Sequence, residues 1–228
     1  MNKKIIFKKK LKENSKKWIR RQLTDEFYLK AKKKGFRSRS AYKLIEIDEK
    51  FKIFNNSINI LDLGSAPGSW CQVSMMKNQS ENLNVLGVDL LKILAVKGVT
   101  FYKGDVRESQ TINFIKSFFS EKVDTILSDM APNTTGHKQT DHIRILNLVE
   151  IAINICEEVL KSDGFFVCKI FQGGAQGNLY KKMQEMFYNI KYFKPKATRN
   201  ESAETYLVAK KKIIYKLLFK KYFNWITL

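Results

Sequence analysis

The chain of 228 residues is 44% hydrophobic and 12% aromatic, which excludes wholesale disorder, and no stretch approaches the ~18 consecutive apolar residues that a membrane helix needs. Its charge is segregated: residues 1–43 hold 17 basic and 3 acidic side chains, residues 210–228 hold 6 and none, and the remainder balances at 19 of each. Two basic arms on a near-neutral body favour binding to a polyanion, nucleic acid before a membrane surface.

Strands and helices alternate from about residue 36 onward. Strands are predicted over 58–64, 84–90, 99–105, 123–129, 164–171, 189–195 and 204–211. Helices are predicted over 40–51, with Ser40 as the N-cap, and over 69–78, 108–121, 140–161 and 178–187. The alternation predicts an α/β protein with a doubly wound, mainly parallel sheet, whose last two strands form an antiparallel pair. Residues 91–98 are too few for a crossover helix and predict a turn or loop.

The first strand runs into D-L-G-S-A-P-G-S-W, in which Gly64 permits a tight turn and Gly68 allows a ligand to approach a helix N-terminus. Asp89 ends the second strand, where a carboxylate can accept both hydroxyls of a ribose, and Asp105 follows the third. Together these tips predict an adenosine-shaped site. The spacing G-x-x-x-G, rather than the dinucleotide pattern G-x-G-x-x-G, favours methyl transfer over nicotinamide chemistry.

Two charges stand on core strands. Asp129 ends the fourth strand in TILSDMAPN and could be a metal ligand, a cofactor contact, a proton handler or a helix cap. Lys169 lies in FFVCKIF, where burying an unpaired ammonium costs several kcal/mol unless the side chain reaches solvent at the edge. We expect the two to face each other above the sheet, and Lys43 and Glu204 are candidates to join them.

The motifs SRSAYKL, DLGSAPGSW, VDLL, GDVR, SDMAPN, KIFQG and SAETYLVA occur in this order. Over roughly residues 18–210 the chain therefore resembles the FtsJ-type ribosomal RNA large-subunit ribose 2′-O-methyltransferases. The resemblance implies a Rossmann-like class I S-adenosylmethionine-dependent fold with a seven-stranded sheet. It implies a catalytic tetrad of Lys43, Asp129, Lys169 and Glu204. It also implies cofactor contacts from Gly68, Trp70, Asp89, Asp105 and Asp129, to which the loop adds Gly64.

The implied substrate is a uridine ribose in the 23S RNA of the assembled large subunit, with S-adenosyl-L-methionine as the methyl donor. Methylating a 2′-OH requires a base for the hydroxyl proton, and Lys169 is our hypothesis for it. Positive neighbours favour a neutral Lys169 and acids oppose it, so we expect an acid to pair chiefly with Lys43, leaving Lys169 desolvated. We expect no metal, because His137 and His142 are too few for a site and are interpreted as surface residues.

The predicted organisation is a basic N-terminal arm over 1–35, a methyltransferase domain over 36–212 and a basic, aromatic extension over 213–228. The extension could contact RNA, dock as a helix or adhere to a membrane surface. The N-terminus lacks a secretory apolar region, and Cys71, Cys156 and Cys168 are spaced as buried thiols of a reduced, cytoplasmic protein. We expect a monomer with no membrane partner.

Three alternatives remain. A transfer-RNA or messenger-cap 2′-O-methyltransferase would use the same tetrad, although cap enzymes usually carry extra domains. A non-catalytic RNA-binding or ribosome-assembly factor would keep the fold, but the complete tetrad argues against a loss of catalysis. A nicotinamide dehydrogenase is the third and is disfavoured by the glycine spacing.

Overall fold

The computed structural model describes residues 15–16, 22–78, 80–132, 135–171 and 177–212. The extension over 213–228, much of the basic arm, and the ends of the SDMAPN and KIFQG motifs lie outside the described residues. Among the helices within that part of the chain, none combines the length and apolarity needed to span a bilayer.

Seven strands form a single mixed sheet in the order β3-β2-β1-β4-β5-β7-β6. Strands β1 to β5 are parallel, and β7 is antiparallel to both of its neighbours, so the predicted sheet is confirmed. The strands are β1 (Asn59–Leu63), β2 (Asn84–Asp89), β3 (Val99–Lys103), β4 (Val123–Ser128), β5 (Leu160–Phe171), β6 (Phe187–Phe193) and β7 (Glu204–Lys211). Every residue of β1 and β4 is buried, as parallel strands covered on both faces require.

In the described part of the chain the helices with defined bounds are α1 (Glu26–Lys33), α2 (Ala41–Phe51), α3 (Ser69–Lys77), α4 (Ser109–Phe118), α5 (Lys138–Val159) and α6 (Gly177–Met186). Helix α1 was not predicted, because its sequence was read only as part of a basic arm. Asp25 caps it by accepting the Tyr28 N–H at 3.0 Å, and Ala31 is buried.

Ser40 precedes α2 as predicted, but its side chain does not cap the helix. Its backbone is already helical, and its hydroxyl instead pairs with Ser38 Oγ at 2.6 Å. The segment over 91–98 forms no helix and ends in a turn, which confirms the prediction of a turn or loop there.

The core consists of two apolar layers, one on each face of the sheet. Neighbouring residues of one strand point to opposite faces, so Leu61 joins the layer under α4, α5 and α6, and Ile60 joins the layer under α2 and α3. The chain progresses from β1 to β2 and β3 on one side and to β4 and β5 on the other. Ligands of such sheets bind where the strand order reverses, outside the carboxyl ends of the strands.

Candidate active site

The loop between β1 and α3 requires glycine at two positions. Gly64 has φ +72°, and a Cβ added there would lie 2.6 Å from Met130 Cγ, so this loop packs directly against the loop that follows β4. Gly68 has φ +101° and is the N-cap residue of α3. The first N–H groups of a helix have no partner within it and favour an anionic ligand group, so this end of α3 can receive a carboxylate.

The acids at the tips of β2 and β3 are held in place by short contacts. Asp89 accepts the Leu91 N–H through Oδ1 at 2.8 Å and the Ala66 N–H through Oδ2 at 2.9 Å, which ties β2 to the glycine loop. Asp105 accepts both the backbone N–H and the Nε–H of Arg107 at 2.9 Å. The hydrogen bonds from Arg107 lower the pKa of Asp105, so this carboxylate is ionised.

Asp62 is a functional candidate that the sequence reasoning missed. Its carboxyl lies fully buried beneath the glycine loop, where Cys71 Sγ donates to Oδ2 at 3.1 Å and Oδ1 has no hydrogen-bond partner among the described residues. Burial raises its pKa to about 8, and the charges of Asp129 and Asp89 add to the rise. The signal was present, since Asp62 is the first residue of the quoted D-L-G motif.

Trp70 is placed mainly as a core residue. It is 2% exposed, its Nε1–H donates to the Ser40 carbonyl at 3.0 Å, and its ring is tilted against Tyr206 with centroids 5.7 Å apart. The indole therefore packs α3 against Tyr206 of β7 and against the residue that precedes α2. The group that Trp70 presents at the start of α3 is its backbone N–H, one of the first-turn donors.

On the other half of the edge, Lys169 and Asp129 come together as expected. Lys169 is 5% exposed, and its Nζ donates to the Asp129 carbonyl at 2.7 Å and lies 3.1 Å from Asp129 Oδ1. The pairing of β4 with β5, in which Ser128 lies beside Cys168, fixes the two residues at adjacent strand tips. Lys169 is therefore removed from solvent, as expected, and at the same time pairs with Asp129.

Lys43 and Glu204 form the second pair. Lys43 Nζ of α2 lies 2.7 Å from Glu204 Oε2, and Glu204 is the first residue of β7, beside Phe171 at the end of β5. An acid thus pairs with Lys43 as expected. Both pairs stand at the same edge of the sheet, so the structure brings all four residues of the tetrad together.

Tyr206 connects the pairs and was also missed. It lies directly opposite Lys169 in the β5–β7 ladder, and its hydroxyl donates to Asp129 Oδ1 at 2.8 Å. Lys43 Nζ lies 5.6 Å from the centroid of its ring. Burial and the charges of Asp129 and Glu204 raise the pKa of this phenol well above its ordinary value, so it stays a donor. Its position two residues after Glu204 was the available signal.

The remaining candidates form no site. Within the described residues, no group of three or more His, Cys, Asp and Glu side chains could hold a metal ion. His137 is exposed and its ring nitrogen pairs with Thr140 Oγ1 at 3.1 Å. All three cysteines are buried free thiols, as the sequence predicted.

The glycine loop, the acids at the tips of β2 and β3 and the start of α3 offer groups for the hydroxyls and base of an adenosine and for a carboxylate. The orphaned Oδ1 of Asp62 and the buried, unpartnered Oγ of Ser65 are further polar atoms in this unit of the described structure. These residues fit S-adenosylmethionine. Strand order, switch point and acids together define a Rossmann-like methyltransferase fold.

Comparisons with known proteins also point to a methyltransferase. The model of the FtsJ-like methyltransferase family matches residues 36–212. A Rickettsia canadensis protein named ribosomal RNA large subunit methyltransferase E is 46% identical over 200 residues, which cover 86% of this chain and 88% of that protein. A Maricaulis maris protein of the same name is 43% identical, over 87% of this chain and 70% of its own length.

A solved ribosomal RNA methyltransferase from Plasmodium falciparum superposes with a TM-score of 0.69 at 30% identity, covering 78% of this chain and 98% of that one. The chain belongs to the FtsJ-like methyltransferase family.

Proposed function

We propose that the protein transfers a methyl group from S-adenosylmethionine to the ribose 2′-OH of a uridine in 23S RNA of the large ribosomal subunit. The observation that carries this proposal is the buried Lys169, held against Asp129 at the same edge of the sheet as Asp89 and Asp105. A lysine at this point can accept the proton that an oxygen nucleophile loses as it attacks. The names of the relatives support ribosomal RNA as the substrate.

The cofactor would be held by both sides of the glycine loop. In this proposal Asp89 accepts the ribose hydroxyls, Asp105 accepts from the amino group of the adenine, and the start of α3 receives the carboxylate. Gly64 and Gly68 supply the left-handed backbone conformation that the loop has at these two positions. When bound, S-adenosylmethionine supplies a methyl group on a positively charged sulfur.

Lys169 acts as the base in this proposal. The base must lie where it can take the proton of the 2′-OH, and Lys169, at 5% exposure, stands out of bulk solvent at the carboxyl edge of the sheet. Tyr206 donates to the same Asp129 oxygen that faces Lys169, so this carboxylate is oriented by two side chains. Lys43 is held by Glu204 and lies near the ring of Tyr206, as the second lysine of the site. The in-line alignment of oxygen and methyl carbon supplies much of the remaining catalysis.

The basic N-terminal arm over 1–35 is the proposed RNA-binding region, followed by the catalytic domain over 36–212 and the extension over 213–228. The described part of the N-terminal arm includes exposed lysines on and directly after α1: Lys30, Lys32, Lys33 and Lys34. Lysines of this kind contact phosphates and do not read sequence. We propose that the protein acts as a monomer, in the cytoplasm, on the assembled subunit.

The test uses purified protein with isotopically labelled S-adenosylmethionine and three substrates: intact large subunits lacking the modification, naked 23S RNA and bulk transfer RNA. We expect label in a 2′-O-methyluridine of the intact subunit, identified by nuclease digestion and mass spectrometry. Label in a base, or preferential labelling of transfer RNA, would contradict the proposal.

A further inference from the structure

Arg37 lies in the segment between α1 and α2, and its guanidinium contacts three backbone carbonyls of two different loops. Nη1 donates to the carbonyls of Pro67 at 2.9 Å and Leu94 at 2.6 Å, and Nη2 donates to that of Ala95 at 2.7 Å. Pro67 precedes the N-cap of α3, whereas Leu94 and Ala95 belong to the connection between β2 and β3. One side chain therefore ties the glycine loop to this connection.

Helix α3 fixes the segment that carries Arg37. The Gln72 side chain accepts the Arg37 backbone N–H at 2.9 Å and donates to the Gly35 carbonyl at 3.0 Å. The fit at the loop is tight, because a Cβ added at Gly68 would lie 2.8 Å from Arg37 Nη1. Gln72 therefore fixes the backbone of Arg37, and the carbonyl of Pro67 in the glycine loop fixes its guanidinium.

The connection over 90–98 has little apolar packing of its own. It contains no helix, and Leu90, Leu91 and Leu94 are 59%, 65% and 80% exposed. Segments with few buried apolar contacts open locally at low free energy. Asp89 immediately precedes this connection and accepts the backbone N–H of Ala66 in the glycine loop. Local opening of residues 90–98 would therefore disturb the proposed ribose contact.

We propose that Arg37 is a positioning residue for the cofactor site, which holds the glycine loop and the 90–98 connection together in their binding arrangement. This inference rests on the proposed function, because it takes the cofactor to be S-adenosylmethionine. Arg37 belongs to the basic N-terminal segment, and its charge alone would suggest contact with RNA. Its planar donors, however, are directed to protein carbonyls, a geometry that a lysine cannot reproduce.

The experiment compares Arg37→Lys and Arg37→Ala with the wild-type chain, using S-adenosylhomocysteine as the probe. Calorimetry at a temperature where circular dichroism shows all variants folded gives the dissociation constant. We expect roughly a tenfold weakening in both variants, because hydrogen bonds to charged groups are lost. In the cofactor-free protein, amide hydrogen exchange of residues 90–98 should become faster. The control is Lys116→Ala, which removes an exposed cation paired with Glu158 and should leave both quantities unchanged.

Steady-state kinetics add a third readout, in which KM for S-adenosylmethionine rises while kcat at saturating cofactor stays within about twofold of wild type. If the wild type binds S-adenosylhomocysteine and Arg37→Lys binds it equally well, the inference is overturned. A loss confined to RNA binding also overturns it. If the wild-type protein itself does not bind the probe, the proposed function fails instead.

Discussion

The edge of the sheet has two halves that are built differently. The proposed cofactor half, at the ends of β1, β2 and β3, includes contacts between near neighbours, such as Asp89 with Leu91, and contacts of Arg37 that span up to 58 positions. The lysine half, at the ends of β4, β5 and β7, joins residues that lie 161 positions apart in the pair of Lys43 and Glu204. The proposed proton chemistry thus depends on longer-range tertiary contacts than the proposed cofactor site does.

The halves also differ in how far their charged side chains are buried. Asp105 in the cofactor half is paired with an exposed arginine and is ionised. In the lysine half, Lys169 is buried, and its Nζ lies 3.1 Å from Asp129 Oδ1. A buried charge is costly when a partner is removed, so single substitutions should have larger effects in the lysine half.

The largest effect is expected from Lys169→Met, which keeps much of the side-chain volume and removes the amine. A positioned base typically contributes 10²–10⁴-fold, so we expect kcat at saturating cofactor to fall about 10³-fold. Calorimetry should show S-adenosylhomocysteine binding within about threefold of wild type, because the contacts of the cofactor half are intact.

Lys211 offers a matched control, since it is also a buried lysine on the sheet. Its Nζ donates to the carbonyls of Cys156, Glu157 and Leu160 at the end of α5, far from the lysine half. Lys211→Met should lower the free energy of unfolding by about 1–3 kcal/mol and leave kcat unchanged. Near-wild-type turnover of Lys169→Met would remove Lys169 from the role of base.

The residues that the sequence singled out at the edge of the sheet were those that are unusual in their own segments. Gly64, Gly68 and the acids at strand tips are local signals, and Lys169 stood out as a charge within an apolar strand. Tyr206 was missed because a tyrosine on a strand is ordinary, and only the register opposite Lys169 reveals its contact with Asp129. Which acid faces which lysine depends on the packing of α2 against the strand ends, and no spacing in the sequence encodes that distance.

Asp62 permits a test of the cofactor half through pH. Its folded pKa of about 8 lies above its unfolded value near 3.9, so between these values the folded state holds a proton that the unfolded state releases. The free energy of unfolding contributed by Asp62 therefore falls as pH rises through this window. Asp62→Asn stays neutral and can still accept from Cys71, so its stability relative to wild type should grow with pH.

Urea unfolding of both proteins at several pH values measures this difference. From about pH 5 to about pH 8 we expect the stability of Asp62→Asn relative to wild type to rise by at least about 1 kcal/mol. A constant offset is allowed, because it reflects lost contacts and not titration. Parallel stability curves across the whole range would show that Asp62 is ionised in the folded protein.

The smallest effect is expected from Tyr206→Phe, at the border between the halves. The substitution keeps the ring that packs against Trp70 and removes only the hydrogen bond to Asp129. One such bond is worth about 1 kcal/mol, so kcat should fall roughly fivefold while S-adenosylhomocysteine affinity is unchanged. A base would have to be the phenolate, which the raised pKa of this phenol disfavours. If turnover nevertheless fell as far as in Lys169→Met, the proton transfer would have to be assigned to Tyr206. A fivefold loss leaves the tyrosine as the residue that orients Asp129.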